Sequence, residues 1–543
     1  MDDKVGKTQR SESVCLSEVN VMWPRRALWI LIVVSAVLRL AWAASLGPGN
    51  DEAYHYLFTV HRDWSYFDHP PMLMVVETLG LKLSGGVVTP LTLRLGFIVL
   101  FAGSTWLMAR LTARFSGESA GFFAALAMNL TAYFTAAAST FALPDGPLIF
   151  FWLLTLNALA WALDRPGRIL PWVAVGLAWG GALLSKYHGI FLPAGLVLYL
   201  LVDRSKRYVL TRPGPYVATV VGLLCFAPVI HWNMTHDWAS FAFQGGRATG
   251  GGLRFRPETL LAAILGQALY LLPWMFAALI VVIAREGAKA WREDWPGARF
   301  LLCQAIVPLA IVNLVACTRP VLPHWALVGY LAIFPILGRS WALRFELEPR
   351  LVRRRIALLA TLPIVIAMGY GAQARFGLLQ GVVAPALGLV AAPSDPTADQ
   401  FGWDQIAVEL QQRGLVNQPN TFLFTGQWFN SGQLAFALRE TQASILCYHP
   451  TDARSFSFWD RPETFVGRDG ILVSINGRSI EPAVYQRWFE SIEPLGEFAV
   501  LRGGQPARKV RLYRCVGQKQ PFPFDGRNPK LAEAILNDSG RRE

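Results

Sequence analysis

The chain is 543 residues long, with 53% apolar and only 16% charged residues, against roughly a quarter charged in an ordinary soluble domain. Its 50 Lys+Arg exceed its 37 Asp+Glu, but so low a charge density excludes a disordered or nucleic-acid-wrapping chain and argues against a soluble multidomain enzyme. Twenty tryptophans and 33 phenylalanines suit a protein that lives in lipid, where aromatic rings gather at the interfaces.

In chain order, a polar tail over 1–26 precedes eleven apolar runs of about spanning length. They lie near 27–46, 91–113, 118–138, 146–163, 169–185, 187–202, 213–231, 258–284, 299–317, 323–338 and 355–376. The stretch 377–392 is apolar enough to hold a further short span or an interfacial helix. Ala41-Trp42-Ala43 has the small-x-small pattern of a signal-cleavage site. The length of the run, Arg39 near its far end and the spans that follow make it an uncleaved first helix instead.

The loops set the orientation. With the N-terminus inside, the inner segments hold about 23 basic residues, from Lys4 and Arg25 through Arg204 and Arg285 to Arg350–Arg355. The opposite loops hold about seven: Arg62, Lys82, Lys186, Arg247, Arg254, Arg256 and Arg319. Such an asymmetry is a positive-inside signal. It predicts an inner-membrane protein with a cytoplasmic N-terminus, a membrane region over 27–392 and an extracytoplasmic domain over 393–543. In that last region the apolar runs stop, and short alternating segments such as "TFLFTG" and "KVRLYRCV" appear between Gly and Asn turns. A small α/β or mostly β domain is expected. The six cysteines show no C-x-x-C spacing. Cys447 and Cys515 share the expected oxidising compartment and are the reasonable disulfide; Cys15 lies inside, and Cys225, Cys303 and Cys317 lie in or at the ends of spans.

Ionisable residues at a membrane boundary mark a functional site by default, and here they crowd the outer side. The first outer loop carries Asp51, Glu52, His55, Asp68 and His69. Later ones carry Asp145; Lys186 with Tyr187 and His188; His231, Asn233 and Arg247; and Arg319 with His324. Asp51 and Asp68 each open a short helix, as a lid over a cavity would require, although both also suit helix N-caps. Lys186 interrupts two apolar runs at the boundary and reads as a phosphate partner. Asp51, Glu52, His55, Asp68 and His69 are the residues that could ligate a divalent metal; no cofactor is otherwise indicated.

Taken together, "DE" at 51–52, "YFDHPP" at 66–71, "LPDGPLIFFW" at 143–152, "LSKY" at 184–187, the "HWN…HDW" loop and "PHW" at 323–325 resemble the integral-membrane glycosyltransferases of the GT-C fold. The bacterial family 39 enzymes are the nearest in pattern. They are related to protein O-mannosyltransferases and to the lipid A aminoarabinose and galacturonosyl transferases. The resemblance covers about 27–330 and leaves the domain after 393 unmatched. It implies a polyprenyl-phosphate-linked sugar donor, an extracytoplasmic site and no nucleotide sugar. It also implies Asp51 as base for the acceptor hydroxyl and Lys186 near the donor phosphate. The aminoarabinose transferases usually have a lysine where this chain has His69 before Pro-Pro. The resemblance therefore does not carry over that sugar or a copied metal site.

The chemistry fits independently. Transfer from a phosphodiester needs a base on the acceptor and cations at the leaving phosphate; Lys186 with Arg247 or Arg319 could supply them. A single base without a second carboxylate nucleophile favours inversion. The acceptor is a lipid A or core, polysaccharide or protein hydroxyl, and the partners are membrane lipids rather than nucleic acid. A transporter or flippase for an anionic polyprenyl- or lipid-linked amphiphile is the competing class. It predicts charges near span centres and pseudo-symmetric broken helices, and the sequence shows no repeat.

Overall fold

The computed structural model describes residues 22–249, 254–292, 295–378, 395–475 and 480–523. By contacts the chain forms two units. One comprises the described part of Met1–Ala41 with Leu95–Pro228 and Ala248–Ile364; the other comprises Trp42–Arg94, Val229–Arg247 and the described part of Val365–Glu543. The segments between the first spans and around 229–247 belong with the C-terminal region.

Six helices among the described residues are long and apolar enough to cross a membrane, or eight if each of two bent pairs is one span. The expected eleven separate accordingly. The runs 91–113 and 118–138 correspond to two helices within Pro90–Asn129, divided by a kink at Gly117 (φ 84°, ψ 166°), the second ending at Asn129. The run 258–284 is a pair bent by 108°, and 323–338 a pair bent by 55°. Ile169–Ser185 and Phe191–Val202 are apolar but only 17 and 12 residues long. The further short span considered over 377–392 lies largely outside the described residues. The chain is an integral membrane protein.

The first unit is helix packed on helix around a buried apolar cluster that includes Phe134, Trp152, Leu156, Trp172 and Leu301. Small residues set the spacing, as expected where lipid gives helices no hydrophobic reason to associate. A Cβ on Gly180 would lie 2.4 Å from the Cys225 side chain, and one on Gly222 would lie 2.2 Å from the Trp179 ring. These glycines let Ile169–Ser185 meet Gly214–Thr235 backbone to side chain.

The second unit is built on a five-stranded sheet of order β2-β1-β3-β5-β4, with β1 Thr421–Thr425, β2 Ile445–Cys447, β3 Asp469–Ile475, β4 Phe489–Arg502 and β5 Gln505–Gln518. β1 pairs in parallel with β2 and β3, whereas β5 is antiparallel to β3 and β4. The domain is thus α/β. The β4–β5 hairpin turns on Gly503 and Gly504, both at positive φ, as a two-residue primed turn demands. Helix Trp428–Ala437 meets helix Asn50–Val60 so closely that a Cβ on Gly432 would stand 2.9 Å from the Tyr54 Cα.

The sheet order overturns the expected disulfide. Cys447 and Cys515 are both buried free thiols, on β2 and β5 with β1 and β3 between them. Three inter-strand spacings alone place them at least about 14 Å apart, beyond the reach of a disulfide.

Candidate active site

The first helix ends at Ser45 and the next begins at Asn50, and one arginine joins the two ends. Arg94 donates to the carbonyls of Ala43 (2.7 Å), Leu46 (3.0 Å) and Gly47 (2.7 Å). It also grips Glu52 with a two-pronged fork, 2.7 Å to Oε1 and 2.6 Å to Oε2. Glu52 Oε2 accepts the Gly49 N–H as well, at 2.8 Å. A cation thus sits at a helix C-terminus and an anion in the first turn of the next helix, where each is favoured. Both side chains are buried. Three hydrogen bonds thus reach the Glu52 carboxylate from Arg94 and Gly49, an arrangement suited to fixing the helix start.

The clamp leaves Asp51, one residue earlier, exposed on the first turn of Asn50–Val60. Crowding by protein raises its pKa by desolvation; His55 and Arg454 oppose the rise, while Asp68 and Asp399 add to it. An exposed carboxylate less acidic than usual is suited to accept a proton. Asp68 is buried. It accepts from the Tyr54 hydroxyl at 3.2 Å and faces Arg454 Nη1 at 3.4 Å, while its backbone carbonyl accepts from Gln244 at 2.8 Å. Tyr54 in turn accepts the Ser455 N–H at 3.0 Å. The buried His55 meets the half-buried His69 edge to face, ring centroids 5.2 Å apart. Arg247 lies 5.1 Å over the Phe243 ring; burial and then Arg454 lower its pKa, against the pull of Asp68, Asp452 and Asp51.

Asp51, His55, Asp68 and His69, clustered in sequence, therefore share one unit with Arg247, which comes from a distant loop. Asn233 is occupied otherwise. It is fully buried, donates to the Val229 carbonyl at 2.9 Å and accepts the Phe241 N–H at 3.1 Å, so it joins two helices. His231 is exposed, and the neighbouring Trp232 donates to Asp63 at 2.9 Å. Arg454 was missed. It lies 386 residues from Asp68 in sequence, in a segment where arginines are common and nothing local marks it. The metal reading does not fit: among the described residues no three of His, Cys, Asp and Glu could hold an ion, and Glu52 is committed to Arg94.

In the first unit, Lys186 ends helix Ile169–Ser185 in extended conformation, ahead of the 3₁₀ turn Tyr187–Ile190. Its ammonium donates to both oxygens of Asp145, at 2.8 and 2.9 Å, in a buried ion pair. Two residues expected separately at the boundary are thus partners. Tyr133 hydrogen-bonds Asp145, and His324 is within electrostatic reach of the carboxylate and stacks along Tyr133 at 6.2 Å. Tyr187 meets Phe226 edge-on at 6.3 Å. Arg319 is half-buried, its Nε 3.4 Å from Thr318 Oγ1.

Residues 68–232 match the family described as dolichyl-phosphate-mannose-protein mannosyltransferase. Lipid A galacturonosyltransferase RgtD of Rhizobium johnstonii is 26% identical over 286 residues, covering 52% of this chain. The chain spans 58% of that relative's length. The structure is similar to that of ArnT from Cupriavidus metallidurans bound to undecaprenyl phosphate, with TM-score 0.56 and 18% identity over 89% of this chain and 97% of that one. The apo state of the same protein gives 0.55 and 17% over the same shares. The chain has the GT-C fold. The family match takes in Asp68, His69, Asp145, Lys186 and His231; Asp51 and Arg454 lie outside it.

Proposed function

We propose that this GT-C protein is a polyprenyl-phosphate-sugar-dependent glycosyltransferase. It moves a hexosyl or pentosyl group to a hydroxyl of lipid A or its core, a polysaccharide or a protein, on the extracytoplasmic side of the inner membrane. The observation that carries this reading is Asp51: an exposed, crowded carboxylate held at a helix start by the neighbouring clamp, in a fold shared with a protein solved with undecaprenyl phosphate.

Asp51 takes the proton of the acceptor hydroxyl as its oxygen attacks the anomeric carbon. The bond from that carbon to the phosphate oxygen breaks, and polyprenyl phosphate leaves with the electron pair. A single in-line displacement inverts the anomeric centre. A phosphate leaving group needs neutralisation rather than a proton. An ammonium has three N–H donors; Lys186 gives two to Asp145 and keeps capacity for a phosphate oxygen. Asp145 keeps this ammonium aimed until the donor arrives.

Purified protein supplied with polyprenyl-phosphate donors carrying galacturonosyl, aminoarabinosyl or mannosyl groups, and with lipid A, polysaccharide and peptide acceptors, tests the reading. Sugar transfer with release of polyprenyl phosphate supports it. Movement of intact donor between vesicle leaflets without bond cleavage would establish a flippase instead.

A further inference from the structure

Within the second unit, the segment running from Cys447 to Trp459 reaches residues far from it in sequence. Trp459 stacks on His61 at 4.7 Å, Phe458 on Phe67 at 5.4 Å, and Phe458 lies 5.6 Å from Trp232. Its turn is fixed from inside: His449 Nδ1 accepts the N–H groups of Thr451 (3.1 Å) and Asp452 (2.7 Å), and Asp452 accepts Arg454 Nε at 2.6 Å. Arg454 itself is held at φ 52°, a left-handed conformation that a long side chain rarely adopts. Backbone strain of this kind persists only where the surroundings over-determine it, and it gathers at functional sites. The guanidinium so placed stands 3.4 Å from Asp68, 5.0 Å over Phe243 and 4.9 Å over Trp428.

We propose that Arg454 is a positioning residue of the transfer site: the C-terminal domain supplies the guanidinium that braces Asp68, and is thereby part of the catalytic apparatus. The proposal rests on the reading of Asp51 as base. The physical need for it is plain. Asp51 and Asp68 lie close enough to repel, and Asp399 adds to the repulsion. A cation beside two such carboxylates offsets that repulsion. Arg454 meets Asp68 directly, and its charge opposes the protonation of Asp51. The charged groups within electrostatic reach of Asp51 are His55, Arg454 and Arg247 on the positive side and Asp68 and Asp399 on the negative. Removing Arg454 therefore leaves Asp51 protonated to higher pH and frees Asp68 to move.

The test uses the full chain with a polyprenyl-phosphate sugar donor, comparing wild type, Arg454→Asn and Arg454→Lys across pH. Asparagine tolerates the left-handed backbone but removes the charge; lysine keeps the charge without the fork. For Arg454→Asn the expected result is a loss of kcat on the order of 100-fold, a donor KM changed less than threefold, and an acid limb moved to higher pH. Arg454→Lys should recover at least a tenth of the activity and the original limb. A folded Arg454→Asn protein with wild-type kcat, or one whose activity falls while its acid limb stays put, overturns the proposal. If Arg454→Asn does not fold, a cycle of Arg454→Lys with Asp68→Asn decides: non-additive effects on kcat support the brace, and additive ones overturn it. Full activity in Asp51→Asn would remove the base assignment itself. An inactive Asp51→Asn beside a wild-type-like Arg454→Asn would remove only Arg454.

Discussion

Glu52→Gln separates a structural carboxylate from a catalytic one. Glutamine keeps the shape and still accepts hydrogen bonds, but Arg94, fully buried, loses its counter-charge while still donating to the carbonyls of Ala43, Leu46 and Gly47. Removing one member of a buried pair costs about 3–5 kcal/mol, because the remaining charge is uncompensated. Arg94→Met should cost at least as much, since it strands both the carboxylate and three carbonyls, each buried acceptor worth about 1–3 kcal/mol. In a unit of this size about 3 kcal/mol lowers Tm by roughly 6–12 °C. Thermal unfolding in detergent followed by size exclusion reads the shift, and the double variant should lose less than the sum of the singles. Asp51→Asn, one residue away, should leave Tm within about 2 °C while abolishing transfer, since its carboxylate is exposed. A Glu52→Gln protein as stable as wild type but inactive would refute the clamp and return Glu52 to the chemistry.

Lys186→Ala leaves Asp145 buried without its partner. It should raise the donor KM at least tenfold with little change for the acceptor, and Lys186→Arg should retain part of the activity; an unchanged donor KM would detach Lys186 from the phosphate. Thiol labelling of unreduced, unfolded protein should modify both Cys447 and Cys515, whose buried thiols are pushed above their ordinary pKa, Cys515 to about 12; mass loss from a bond between them would contradict the strand order. Burial raises the Asp460 carboxyl to about 7. The folded state therefore binds its proton more tightly than the unfolded chain, and this contribution to stability is full at low pH and lost as pH rises from about 4 to about 7. Wild-type Tm should fall over that range more steeply than that of Asp460→Asn, and parallel curves would show that Asp460 titrates normally.

Much of the molecule is legible in its sequence because burial in lipid is a one-dimensional signal. Apolar runs locate the helices, and the crowd of Asp and His over 51–69 locates the start of the site. What stays hidden is pairing. Arg94 reads as one more charge within an apolar run, yet it defines Glu52; Asp145 and Lys186 are 41 residues apart and become a single ion pair. Arg454 comes from a domain without family resemblance and acts through a turn that its own neighbours hold. Cys447 and Cys515 mislead for the same reason, since sharing a compartment says nothing of strand order. Span counting suffers where Leu272 bends apolar sequence without interrupting its composition.

The most direct measurement compares single turnovers of wild type and Asp51→Asn with a polyprenyl-phosphate sugar donor, following released polyprenyl phosphate by mass spectrometry and the anomeric configuration of the product by NMR. Wild type should release one polyprenyl phosphate per sugar transferred, only with acceptor present and with inversion, while the folded Asp51→Asn protein should bind donor and release none. Equal release by both proteins, or a product of retained configuration, would contradict a single displacement driven by Asp51.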